Sequence, residues 1–200
     1  IISGKIEHIN YQPKVSKKNK IRSLYVTSNN NLWICNTENI VVYNINSEEF
    51  KEISYPKAQL KSDELNYIPK IYQDKNKTIW LGYRDGLATL NKEKNTFEYF
   101  KNSSNKINAI TDEVRAIHQD FYGNLWVGTY KGLYIINNKR NAINLYTHDE
   151  NNINSLSQNS VYCIIGDTKG DVWIGTYAGG VNYYDRSFDL FKSYYTGSTN

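Results

Sequence analysis

Three histidines, two cysteines and twenty carboxylates are the groups in this 200-residue chain that would serve acid–base, nucleophilic or metal chemistry. Their spacing assembles none of these. His8, His118 and His148 are scattered, and there is no H-E-x-x-H pair for zinc and no G-x-S-x-G turn for a serine nucleophile. Gly166 to Gly170 has the wrong spacing for a phosphate loop and lacks its Lys-Ser/Thr pair. Asp167-Thr168-Lys169-Gly170-Asp171 has the outline of a calcium loop, but without the alternating ligands and closing Glu. Cys35 and Cys163 read as two buried thiols rather than a disulfide, a metal pair or a nucleophile. No catalytic residue, metal site or cofactor is expected of this chain. Lys14, Lys17, Lys18, Lys20 and Arg22 form a basic cluster, yet the net charge is only +4 and no aromatics interleave the lysines. The cluster reads as a solvated link, not a nucleic-acid surface.

What remains is recognition. Eighteen tyrosines make aromatic faces abundant, and three of them open polar or glycine-rich turns: Tyr83-Arg84-Asp85, Tyr130-Lys131 and Tyr177-Ala178. Aromatic faces beside a few polar groups suit a small-ligand site on loops held by a rigid scaffold. Tyr83, Arg84, Tyr130, Lys131 and Tyr177 are therefore the expected ligand contacts.

The scaffold is written in the tryptophans. The four stand at 33, 80, 126 and 173, in steps of 47, 46 and 47 residues. Thr27, Asp74, Asp120 and Asp167 each precede an indole by six residues, and Cys35, Gly82, Gly128 and Gly175 follow by two. Apolar residues keep the same register: Leu24, Ile71, Ile117 and Ile164, then Ile21, Ile68, Val114 and Val161. Each unit holds four short β-rich runs, which in the third are Val114–Gln119, Leu125–Thr129, Leu133–Ile136 and Ile143–Tyr146. Four short strands in a unit of this length are the pattern of a β-propeller blade. The expected fold is all-β, four blades of four antiparallel strands. An outer strand of a preceding blade is expected at 1–12, with blades at 13–54, 55–101, 102–147 and 148–200. Pro69 is expected in the first strand of the second blade, which pairs on one side only. The tryptophans are expected to pack between blades, and Asp74, Asp120 and Asp167 to fix hairpin turns through backbone N–H groups. Gly82, Gly128 and Gly175 are expected to let neighbouring blades approach closely, and Thr129 and Thr176 to donate to a neighbouring strand.

The repeated D-x-x-G-x-L/V-W-V/I-G-T-x-x-G-L/V, with an Asn/Ser-rich link ending Ser155-Leu156-Ser157, resembles the two-component regulator propeller repeat. Repeats 3 and 4 carry the motif closely, and repeat 1 carries it in degenerate form. The resemblance implies the periplasmic sensor region of a Bacteroidetes hybrid two-component protein. Such a region would bind an oligosaccharide and signal to a histidine kinase, not present in this chain, that governs transcription. Two other classes stand beside it: a scaffold for protein–protein contact or homodimerisation, and a propeller lyase or hydrolase, which the missing acid/base set disfavours. The family's usual ring has more blades than four, so the remaining blades of a parent chain are expected partners. The start at Ile1 and the absence of Met suggest a piece of a longer protein. No apolar run approaches the roughly 18 residues of a membrane span.

Overall fold

The computed structural model describes residues 20–56, 68–101 and 109–195. The strand expected at 1–12, most of the basic cluster and part of the link before the third repeat lie outside them. The described residues form sixteen strands and no helix. β1 (Ile21–Val26), β2 (Asn31–Asn36), β3 (Asn39–Asn44) and β4 (Phe50–Ser54) make blade 1. Blade 2 is β5 (Lys70–Gln73), β6 (Ile79–Tyr83), β7 (Gly86–Asn91) and β8 (Thr96–Tyr99). Blade 3 is β9 (Val114–Gln119), β10 (Leu125–Thr129), β11 (Leu133–Ile136) and β12 (Ile143–Tyr146). Blade 4 is β13 (Val161–Gly166), β14 (Val172–Thr176), β15 (Val181–Asp185) and β16 (Leu190–Tyr194). Each blade is one antiparallel sheet with its strands in chain order.

Hairpin chemistry explains why the units fold alike despite unlike letters. The first turn of each blade needs one residue in the left-handed region, supplied by Asn30 (φ 57°), Lys77 (φ 63°), Gly123 (φ 87°) and Gly170 (φ 89°). Asn tolerates that region better than most residues, so repeat 1 keeps the turn without glycine.

The first strands line up in succession, β1 beside β5, β5 beside β9 and β9 beside β13. The core is therefore divided into three apolar clusters, one at each joint between blades. The first three tryptophans reach forward into the next blade. Trp33 meets Phe97 edge-on at 6.3 Å, and Trp126 meets Tyr184 at 4.9 Å. Trp80 is buried with Val127, Ile136 and Ile143. Burying such a ring stabilises a joint by about 2–3 kcal/mol. Trp173 has no following blade among the described residues; it is half-buried against Tyr183 and Tyr194 of its own blade.

The two outer faces of the arc are correspondingly bare. Ile21 and Leu24 on β1 are 64% and 60% exposed, whereas their counterparts on β13, Val161 and Ile164, are 0% and 8% exposed beneath blade 3. Val181 on β15 is exposed, while its counterpart Leu133 is buried beneath blade 4.

Three expectations are corrected. Pro69 is not in the strand: β5 begins at Lys70 and has four residues where the other first strands have six. The ring nitrogen offers no donor, so the ladder starts one residue later, and the Pro69 carbonyl accepts from Ser23 Oγ at 2.5 Å. Cys35 is buried, but Cys163 is exposed, because its side of β13 faces the uncovered end of the arc. Thr129 and Thr176 donate not to a neighbouring strand but across their own turns, to Gly132 and Gly180 oxygens.

Candidate ligand-binding site

The first-turn face is a structural clasp. Asp120 Oδ1 accepts the Asn124 amide at 2.8 Å, which closes the turn, while Oδ2 accepts the Trp126 indole N–H at 2.9 Å. Asp74 does the same with Asn76, Thr78 and Trp80, and Asp167 with Lys169, Asp171 and Trp173. The turn-fixing role of these carboxylates was legible; the indole bond was not. The next blade then contributes an arginine: Arg140 to Asp74 Oδ2 at 3.2 Å, and Arg186 to Asp120 Oδ2 at 3.0 Å. Burial alone would raise the Asp120 pKa, but the donors from Trp126, Asn124 and Arg186 outweigh it and hold the carboxyl below its ordinary value. His118 lies on this face as well. Its imidazole is pushed down by burial, against the pull of Asp120. Gly166 of blade 4 makes room for it: a methyl there would sit 2.7 Å from His118 Nε2.

The glycines two residues after the indoles do bear on the joints. A methyl on Gly82 would lie 2.5 Å from Val114 Cγ1 of blade 3, and one on Gly128 would collide with Val161 of blade 4. At Gly175 the obstacle among the described residues is Cys163 Sγ of the same blade.

The opposite face, built from the turns between second and third strands and the links between blades, carries an open groove of about 700 Å³ at the joint of blades 3 and 4. Tyr130 and Lys131 come from the β10–β11 turn, and Tyr177 from the β14–β15 turn. Their positions are set by the backbone: Tyr130 N donates to Glu113 O, and Tyr177 N to Ser160 O, at 3.2 and 2.8 Å. At the centre is Arg115 of β9. Its guanidinium lies between the rings of Tyr130 and Tyr162, 5.0 and 4.7 Å from their centroids. Nε donates to Glu113 Oε1 at 3.0 Å and Nη1 to Ser160 Oγ at 2.8 Å. Tyr162 and Tyr177 are stacked, with centroids 5.8 Å apart and an interplanar angle of 29°. Lys131 Nζ pairs with Asp112 at 2.9 Å, which raises the lysine pKa. Asp112 also accepts from Tyr134 OH at 2.7 Å; burial first, and this bond second, push the Tyr134 pKa up.

Tyr130, Tyr162 and Tyr177 are all more than half exposed. The groove thus offers three aromatic surfaces around a cation already fixed in place, and Gln158, Asn159 and Ser160 supply neutral polar groups. No carboxylate, imidazole or thiol is among the described residues that line it. The chemistry this supports is stacking and hydrogen bonding. Among the described residues no cluster of His, Cys, Asp and Glu is placed to hold a metal ion.

Of the five expected contacts the groove unites three, Tyr130, Lys131 and Tyr177. Tyr83 is corrected: it is 6% exposed and stacked at 5.0 Å on Tyr55, so it belongs to the blade 1–blade 2 core. Arg84, in the adjoining turn, does not line the groove. Arg115 and Tyr162 were not anticipated. The alternation of β9 and β13 held the signal for both, since Val114 and Val161 point into the core and the next residue must point away from it.

Residues 104–131 and 155–178 match the sequence profile described as two component regulator propeller. Comparison with curated proteins gives no match. Among solved structures, the extracellular domain assigned to a hybrid two component system of B. thetaiotaomicron is 18% identical and superposes with a TM-score of 0.67, over 88% of this chain and 25% of that one. PorZ, a surface component of the type-IX secretion system of Porphyromonas gingivalis, is 18% identical with a TM-score of 0.64, over 88% of this chain and 27% of its own. At these identities the likeness is one of fold. The chain spans about a quarter of the length of these structures.

Proposed function

From the two-component regulator propeller repeats that this chain carries, we propose that it is the ligand-sensing propeller segment of an extracytoplasmic, periplasmic sensor. It detects an oligosaccharide and passes the signal to a histidine kinase elsewhere in a hybrid two-component protein, and has no catalytic activity itself. The observation that carries the ligand reading is the groove of Tyr130, Tyr162 and Tyr177 around Arg115. Sugar rings offer apolar C–H faces to aromatic planes and hydroxyls to amides and guanidinium groups. The similarity to an extracellular domain of a hybrid two component system supports the sensor reading and the location.

Calorimetric titration of the chain against a panel of neutral and acidic oligosaccharides tests this. Tyr130→Ala and Tyr177→Ala should each weaken a binding glycan about tenfold, the loss of one stacking contact. Unchanged affinity in both variants would remove the groove as the site. A second reading, a scaffold for association, is favoured by the bare apolar faces of β1 and blade 4.

A further inference from the structure

The joint of blades 1 and 2 lacks the clasp that the next two joints share. Thr27 stands where Asp74 and Asp120 stand, and its hydroxyl is engaged with Asn29 Oδ1 and Asn31 O. No arginine comes across from blade 2. The Trp33 indole N–H is buried and has no partner, although the ring is only 4% exposed. In blades 2 and 3 the same N–H donates to a carboxylate oxygen at 2.9 Å, which also meets a cation from the next blade. Where carboxylate and arginine are missing, there is instead a pocket of about 440 Å³. Thr27 and Trp33 line it, with apolar walls from Val42, Ile79 and Leu90. Its described lining residues include three lysines, Lys51, Lys77 and Lys92, and no Asp or Glu. An unanswered buried donor is costly. The ring that carries it lines a cavity large enough for a small molecule, on the side of the arc opposite the tyrosine groove.

We propose that this pocket binds a small carboxylate with an apolar body. The carboxylate replaces the absent aspartate, accepting from Trp33 Nε1 and facing the lysines, while the apolar part lies against Val42, Ile79 and Leu90. The neighbouring joints are the template: the chain itself shows which group satisfies this indole and which charge accompanies it. The site stands independently of the sugar reading.

The four indole N–H resonances of the ¹⁵N-labelled chain give a direct readout, the Trp33 signal being the one that Trp33→Phe removes. Sodium benzoate should move that signal saturably. Benzamide, without the charge, and acetate, without the apolar body, should each need about tenfold higher concentration, as expected for loss of a charge-assisted bond or of a buried ring. Thr27→Asp, which restores the built-in carboxylate, should abolish the response while the other three indole signals stay in place. The double variant Lys51→Gln/Lys92→Gln changes only exposed side chains and should weaken benzoate severalfold, which keeps the test decisive if Thr27→Asp perturbs folding. A stationary Trp33 signal with benzoate, an equal response to benzamide, or undiminished binding in the lysine variant would overturn the proposal.

Discussion

At the scale of single residues, the clasp around Asp120 concentrates the most interaction in the smallest volume. One oxygen takes the Trp126 indole N–H, the Asn124 side-chain amide and Arg186. Asp120→Ala leaves these donors facing a void, and the expected cost is about 3 kcal/mol, read as a fall in the urea midpoint at pH 7. The pH dependence has a definite sign. The folded pKa of Asp120 lies below its ordinary value, so its stabilisation is fully present above the unfolded pKa of about 3.9. It is lost as pH falls through the folded pKa. The stability gap between wild type and Asp120→Asn should therefore narrow between pH 5 and about pH 2. A gap that stayed constant would mean that the charge contributes nothing.

At the scale of elements, the joints predict a ranking of glycine substitutions. Gly82→Ala and Gly128→Ala force a methyl against a valine of the following blade, and each should cost about 1–3 kcal/mol by overpacking. Gly175→Ala meets, among the described residues, Cys163 of its own blade, which is exposed, and should cost clearly less. Thermal denaturation of the three variants in parallel checks the order. Strands are also where the sequence was most legible. Indole spacing and the apolar columns ran through all four repeats, and β9 to β12 fall on the anticipated residues. What could not be read were features that depend on a neighbour. Tyr83 looks like Tyr130 in the chain, but Tyr55 from blade 1 covers it. Arg140 and Arg186 escape alignment because they sit at different places in their turns, one at a left-handed residue and one just after its strand, yet each reaches 66 residues back. Cys163 resembles a core residue because its counterpart Ala116 is buried; blade 4 covers Ala116, and no described blade covers Cys163.

At the scale of the whole molecule, the arc ends in two different apolar faces, one presenting β1 and the other Trp173, Val181 and Ile165. Exposed patches of this kind mark association surfaces. Sedimentation velocity of the chain over a hundredfold concentration range should show self-association, and Leu24→Lys with Ile165→Lys should abolish it without loss of sheet content. A chain that sediments as a monomer throughout would exclude the homodimer reading and leave the sensing groove untouched.

The forward reach of Trp33, Trp80 and Trp126 has one more implication. Every joint sets the leading side of one blade against the trailing side of the next, so any trailing side fits any leading side built to the same plan. Duplicating blade 3 in frame sets an aspartate side against an arginine side and redesigns no surface. Excising blade 2 brings Arg140 against Thr27 instead, where no carboxylate receives it.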